Sequence, residues 1–97
     1  MDELEFDWSD EKNNLLMRER GISFEHVLLA IQSGRLIDII PSPSPTHPEQ
    51  DCMVIEIDAY AYLIPYVQEG QRIFLKTIYP SRKHTKTYLR GETDENR

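Results

Sequence analysis

The chain has 97 residues, a formal net charge of −6 at neutral pH and 39% hydrophobic residues. These values predict one globular domain with a single core. They exclude a protein that coats DNA through overall positive charge. The single cysteine, Cys52, excludes an internal disulfide and is typical of a reducing cytoplasm. The acidic amino terminus and the lack of a long apolar run predict a cytoplasmic protein that does not enter the membrane.

The first third of the chain predicts one strand followed by two helices. Residues 2–8 alternate apolar and acidic side chains, which is the pattern of a half-buried strand. Ser9 and Gly21 are typical residues for the start and end of a first helix, and Ser23 and Gly34 bound a second one in the same way. Since the joint between them is so short, we expect a compact helix pair.

After Gly34 the apolar residues follow the pattern of strands. Four prolines in residues 41–51 predict a stiff, extended connection, and Pro65 predicts an edge, a bulge or a non-bonded side of its strand. Ser81 is positioned to cap a short final helix, and residues 91–97 are predicted to form a frayed tail. The four predicted strands comprise residues 36–40, 52–58, 59–68 and 72–79.

The order of these elements predicts the fold class. A helix pair followed by consecutive strands gives an α+β domain of two layers, spanning residues 1–90. We expect the N-terminal helix pair to pack on an antiparallel β-meander of about four strands, with a short C-terminal helix.

Positive charge is concentrated in residues 72–90, RIFLKTIYPSRKHTKTYLR. This stretch carries six cations and no acid, a charge of +6, whereas the rest of the chain, with five cations and 17 acids, carries −12. A confined cationic field favours the binding of phosphate or RNA. The alternative is a solvated basic strand and helix end that balances an acidic body.

The residue pattern disfavours metal and nucleotide chemistry and leaves metal-free RNA cleavage open. His26, His47, Cys52 and His84 are not spaced as zinc ligands, and no phosphate-binding loop or serine nucleophile motif occurs. We therefore expect no cofactor. Cleavage of RNA without a metal needs a proton acceptor, a proton donor and cations beside the phosphate. The candidate catalytic residues are Arg82, Lys83 and His84, and the candidate RNA- or phosphate-binding residues are Lys12, Arg72, Lys76, Lys86, Tyr88 and Arg90.

Two stretches resemble a known family. FDWSDEKNNLLMRERGISFEHVLLAI (6–31) contains W-x-x-x-K-N followed by G-I-S-F-E, and IYPSRKHTKTY (78–88) contains S-R-K-x-T. Both resemble the BrnT-type toxins and together cover about 40% of the chain. The resemblance implies a RelE-like fold and the toxin of a type II toxin–antitoxin pair. It also implies a metal-independent endoribonuclease that cleaves RNA, in some cases at the ribosome, and is neutralised by a DNA-binding antitoxin. Contact with DNA would then be indirect, through the antitoxin. The resemblance does not decide whether the chain forms a homodimer.

The resemblance carries over to only part of the expected site. Lys12 and Asn13 match the lysine and asparagine of the first motif. Arg82 and Lys83 match the R-K pair of the second. The chain departs from the family where Glu19 replaces a cation and where His84 replaces an alanine. A non-catalytic module that holds RNA or an acidic protein on the same basic face is therefore the alternative hypothesis. Catalysis would require the candidate groups to converge on one phosphate.

Overall fold

The computed structural model describes residues 3–42, 46 and 50–91, and it confirms an α+β domain. His47, most of the proline-rich connection and residues 92–97 of the predicted tail lie outside the described residues. Residues 85–89 form a π-helical turn that directly follows the last helix. The elements are β1 (Glu5–Asp7), α1 (Asp10–Arg20), α2 (Phe24–Gln32), β2 (Leu36–Pro41), β3 (Asp51–Ile57), β4 (Tyr60–Glu69), β5 (Arg72–Leu75), β6 (Tyr79–Pro80) and α3 (Arg82–His84).

The two N-terminal helices begin and end where the sequence predicts. The Ser9 hydroxyl accepts a hydrogen bond from the Lys12 amide, and Gly21 ends α1 with a φ of 68°, which favours glycine. Ser23 and His26 cap the start of α2 reciprocally, each side chain bonding the other residue's backbone N–H. His26 therefore has a structural role in the described fold.

Asn13 joins the two helices. Its side-chain oxygen accepts the Phe24 amide hydrogen at 2.7 Å, and its side-chain nitrogen donates to Glu25 at 2.9 Å. The first bond satisfies a backbone donor at the start of α2 that has no partner within the helix. The second lowers the pKa of Glu25 below its ordinary value. The buried Phe24 ring stacks on Trp8, with centroids 5.5 Å apart. The first motif of the family resemblance therefore consists largely of residues that build this helix pair.

The predicted antiparallel meander of about four strands is present as β2 to β5, but the described sheet as a whole is mixed and, with β1 and β6, has six strands. Its strand order is β1-β5-β4-β3-β2, with β6 paired to β4 beyond the end of β5. The pairs from β2 to β5 are antiparallel, whereas β1 lies parallel to β5. Alternation along residues 2–8 indicates a strand, but it carries no information about the partner of that strand.

The single strand predicted for residues 72–79 is divided into β5 and β6. Pro65 of β4 has no N–H, and its carbonyl accepts the Lys76 amide at 2.8 Å, so the missing donor faces the same edge of β4. The ladder breaks there, and the chain pairs with β4 again at Tyr79. The Arg20 guanidinium binds the Ile78 carbonyl, which ties the segment between β5 and β6 to α1.

Both faces of the central strands are covered, so part of the fold has three layers and not two. One core cluster joins α1 and α2 to one face of the sheet through Leu16, Phe24, Val27, Ile55 and Leu75, among others. A second cluster on the other face contains Cys52, Val54, Ala61 and Leu63, and Leu89 of the π-helical turn packs against it. None of the helices in the described ranges is long and apolar enough to cross a membrane.

Candidate functional site

The C-terminal helical segment (residues 82–90) is fixed to β4 through Ala61. The Ser81 amide donates to the Ala61 carbonyl at 2.9 Å, and the Thr85 hydroxyl accepts the Ala61 amide hydrogen at 2.8 Å. The same hydroxyl donates to the Ser81 carbonyl at 2.7 Å, and Thr85 is only 1% exposed. Since β6 ends at Pro80, these bonds satisfy backbone groups of β4 that would otherwise lack a strand partner.

Three cations of this segment line one hollow. Arg82, Lys86 and Arg90 are spaced four residues apart and share one side of the helical segment. The hollow has a volume of about 410 Å³, and Tyr60 and Thr85 complete its described lining. We call it the C-terminal hollow. Its described lining contains no Asp or Glu, so the positive charges have no acidic partner within it.

His84 and Tyr88 occupy a different side of the segment. Nδ1 of His84 lies 2.6 Å from the Ser81 hydroxyl, and the imidazole stacks on the Tyr88 ring with centroids 6.0 Å apart. The Tyr88 hydroxyl donates to the Asp38 carboxylate on β2 at 2.7 Å. This bond lowers the pKa of Asp38 and raises the pKa of Tyr88. His84 is thus held from both sides, by a hydroxyl and by an anchored aromatic ring.

Burial lowers the pKa of His84 below its ordinary value, and the charge of Lys83 lowers it further. The imidazole is therefore mostly neutral at neutral pH. A neutral imidazole can accept a proton, which is the property required of a general base.

Arg72 and Lys76 line a second hollow, on β4 and β5, together with Glu69 and Phe74. Because Ile73 and Leu75 point to the helix pair, the alternating Arg72 and Phe74 side chains occupy the opposite face of the sheet, where the C-terminal helical segment also packs. Arg72 lies 3.7 Å from the Asp7 carboxylate, and the Lys76 ammonium lies 5.2 Å from the centre of the Phe74 ring. These cations share a sheet face with the segment but line a separate hollow, whose positive charge is partly balanced by acids.

The remaining predicted residues lie apart from both hollows. Lys12 belongs to α1, in the layer on the opposite face of the sheet. Lys83 is exposed on α3 and is not among the described residues of the C-terminal hollow. The structure therefore brings together Arg82, Lys86 and Arg90, pairs His84 with Tyr88, and leaves the other four predicted residues elsewhere.

Three residues of this region were not identified from the sequence: Tyr60, Thr85 and Asp38. Thr85 is the threonine of the S-R-K-x-T motif, so the sequence could have indicated its importance. A threonine in so basic a stretch is, however, typical of an exposed residue. Asp38 is 50 positions from Tyr88, and no local pattern links the two.

The described residues offer no evident centre for metal or thiol chemistry. No three His, Cys, Asp or Glu side chains of that part of the chain are grouped as metal ligands. Cys52 is fully buried, and burial raises its pKa to about 11, so its thiol stays protonated at neutral pH.

The fold and the hollow define an α+β domain with a localised cationic site next to a positioned histidine. No family model, curated protein or solved structure gives a significant match to this chain.

Proposed function

We propose that this chain is the toxin of a type II toxin–antitoxin system, with a RelE-like fold, and that it cleaves RNA without a metal. The observation that carries the proposal is the C-terminal hollow, where Arg82, Lys86 and Arg90 gather without an acid among the described lining residues. The arrangement of a helix pair on a largely antiparallel sheet, with a basic C-terminal helix, supports the RelE-like assignment.

The proposed reaction uses groups of the C-terminal helical segment. The ribose 2′-hydroxyl attacks the adjacent phosphorus, and the bond to the 5′-oxygen breaks as that oxygen takes a proton from a water molecule, so that a cyclic phosphate and a free 5′-hydroxyl result. Arg82 and Lys86 stabilise the charge on the phosphorane oxygens. The imidazole of His84 accepts the 2′-hydroxyl proton, because burial lowers its pKa and so keeps it unprotonated. Because His84 lies on a different side of the segment from Arg82 and Lys86, the RNA has to lie across the segment to contact the imidazole and the two cations together.

The alternative is a module of the same fold that binds RNA or an acidic protein segment without cutting it. Two observations favour it. His84 is not among the residues that line the hollow, and Arg72 and Lys76 line a different one. Binding tolerates charges spread over a surface, whereas catalysis needs the groups within hydrogen-bonding reach of one phosphate.

Induced expression in a bacterial host distinguishes these functions. Growth and total RNA integrity are followed for the wild type, for the double variant Arg82→Ala/His84→Ala and for Lys12→Ala, which removes a cation from the opposite layer. A ribonuclease toxin should arrest growth and degrade RNA, the double variant should abolish both effects, and Lys12→Ala should preserve them. If the wild type is folded but leaves growth and RNA intact, the proposed ribonuclease function is contradicted, and the binding module remains as the explanation.

The antitoxin is tested separately. A small DNA-binding protein encoded next to this chain should co-purify with it and restore growth when both are expressed. If the neighbouring product neither binds the chain nor protects the host, the toxin–antitoxin assignment fails even if the chain cleaves RNA.

A further inference from the structure

The C-terminal hollow combines positive charge with an aromatic residue that the sequence did not single out. Tyr60, the first residue of β4, lines the hollow together with the cations of the C-terminal helical segment. We propose that this hollow is a nucleotide subsite for single-stranded RNA, in which Arg82, Lys86 and Arg90 bind phosphate and Tyr60 stacks on a base. The inference rests on the proposed function for the identity of the ligand, but it concerns binding and not cleavage.

The size and charge of the hollow suit a nucleotide. Its volume of about 410 Å³ falls within the roughly 300–1,000 Å³ of small-ligand sites. Two guanidinium groups and one ammonium group can each donate to phosphate oxygens, and the arginines can do so with two parallel bonds. The hollow on β5, by contrast, includes Glu69 and lies beside the Asp7–Arg72 ion pair, so it is less suited to an anion.

Tyr60 is held in place and is still partly accessible. Its ring packs edge-on against Tyr62 with centroids 6.0 Å apart, and the residue is half-buried. The tight β3–β4 turn directly before it restricts the backbone, since Asp58 and Ala59 both have positive φ values. A restrained aromatic side chain loses little conformational freedom when a base stacks on it.

The pairing of an aromatic wall with cations predicts a preference for single strands. A base in a duplex is paired and already stacked on its neighbours, so it reaches Tyr60 only after unpairing. Stacking on an aromatic side chain accepts any base, because every base has a π-face. We therefore expect weak sequence preference and strong discrimination against duplex RNA.

The test measures binding with a ligand that cannot be cleaved. Fluorescence anisotropy measures the affinity of the full chain for a labelled 2′-O-methyl single-stranded oligonucleotide. Two unlabelled competitors, a duplex of the same sequence and inorganic pyrophosphate, are then tested for displacement of the labelled strand. Tyr60→Leu should weaken binding of the single strand about tenfold, the effect of losing one aromatic stacking partner. It should leave competition by pyrophosphate unchanged, and Tyr60→Phe should bind like the wild type.

Lys86→Ala and Lys83→Ala form a matched pair of lysines on the same segment. Lys86 lines the hollow, whereas Lys83 is exposed outside its described lining. Lys86→Ala should weaken the binding of both the single-stranded oligonucleotide and pyrophosphate. The slope of the logarithm of the binding constant against the logarithm of salt concentration should become shallower by about one unit, the value for one lost phosphate contact. Lys83→Ala should have a much smaller effect.

Each contrary result overturns the subsite. Equal loss from the two lysine variants would indicate diffuse attraction by a basic surface. Unchanged binding by Tyr60→Leu, or equal binding of duplex and single strand, would refute base stacking. If Tyr60→Leu unfolds, a tenfold loss in Tyr60→Phe would also count against it, because that variant keeps the ring. A wild type that binds as described but cleaves no natural RNA refutes the ribonuclease and leaves the subsite standing.

Discussion

Thr85 provides the sharpest test of how the C-terminal helical segment is held. Its hydroxyl bonds the Ala61 amide and the Ser81 carbonyl, and both Thr85 and Ala61 are almost completely buried. Thr85→Val keeps the size and branching of the side chain but removes the hydroxyl. The Ala61 amide would then lose the hydroxyl that accepts its hydrogen bond, and burial would keep water from taking the place of that hydroxyl.

The size of the effect follows from those contacts. A buried backbone donor without a partner costs about 1–3 kcal/mol. The Ser81 carbonyl still accepts the Thr85 amide at 3.1 Å, so its loss adds little. We therefore expect Thr85→Val to lower the free energy of unfolding by about 2 kcal/mol. For a domain of this size that corresponds to a fall in Tm of about 8–16 °C.

Thr85→Ser is the matched control, since it keeps the hydroxyl and loses only the methyl group. It should cost about 1 kcal/mol, less than the valine variant. Urea unfolding followed by circular dichroism measures both free energies. A Thr85→Val variant as stable as the wild type, or a serine variant less stable than the valine variant, would refute the reasoning that the hydroxyl anchors the segment.

Three further predictions concern the turn, the helix pair and the histidine. Ala59→Gly should raise the free energy of unfolding by roughly 0.5–1 kcal/mol, because the φ of 63° strains an alanine and suits a glycine; urea unfolding that shows a loss would contradict this. Asn13→Ala should lower it by about 1–2 kcal/mol by leaving the buried Phe24 amide without its partner, and Glu25→Gln, which keeps that bond, should lose less. Lys83→Met should raise the pKa of His84 toward its ordinary value in an NMR titration, and an unchanged pKa would exclude the lysine as a cause. Because the folded pKa is the lower one, the unfolded chain binds the proton first as pH falls through about 6.5, so stability falls below that pH, and the fall should be smaller in Lys83→Met.

The candidate site could be predicted only in part. Arg82, Lys86 and Arg90 are near neighbours in sequence, and helical spacing alone brings them to one side. Tyr60 joins them only because β4 lies beside the segment, and Asp38 accepts a hydrogen bond from Tyr88 only because the fold brings β2 within reach of the segment. Arg72 and Lys76 belong to the same charged stretch, but they line a different hollow. Spacing along the sequence does not predict this separation.

The sequence by itself determined the helices and the approximate strand positions. Ser9, Gly21 and Ser23 act through bonds to residues three or four positions away, so their effect is written in the adjacent sequence. The tertiary structure alone decided that β1 lies parallel to β5, that the strand opposite Pro65 is divided, and that Thr85 binds Ala61. Each of these depends on which distant segment supplies the partner for a backbone group, and that choice is made by packing of the whole domain.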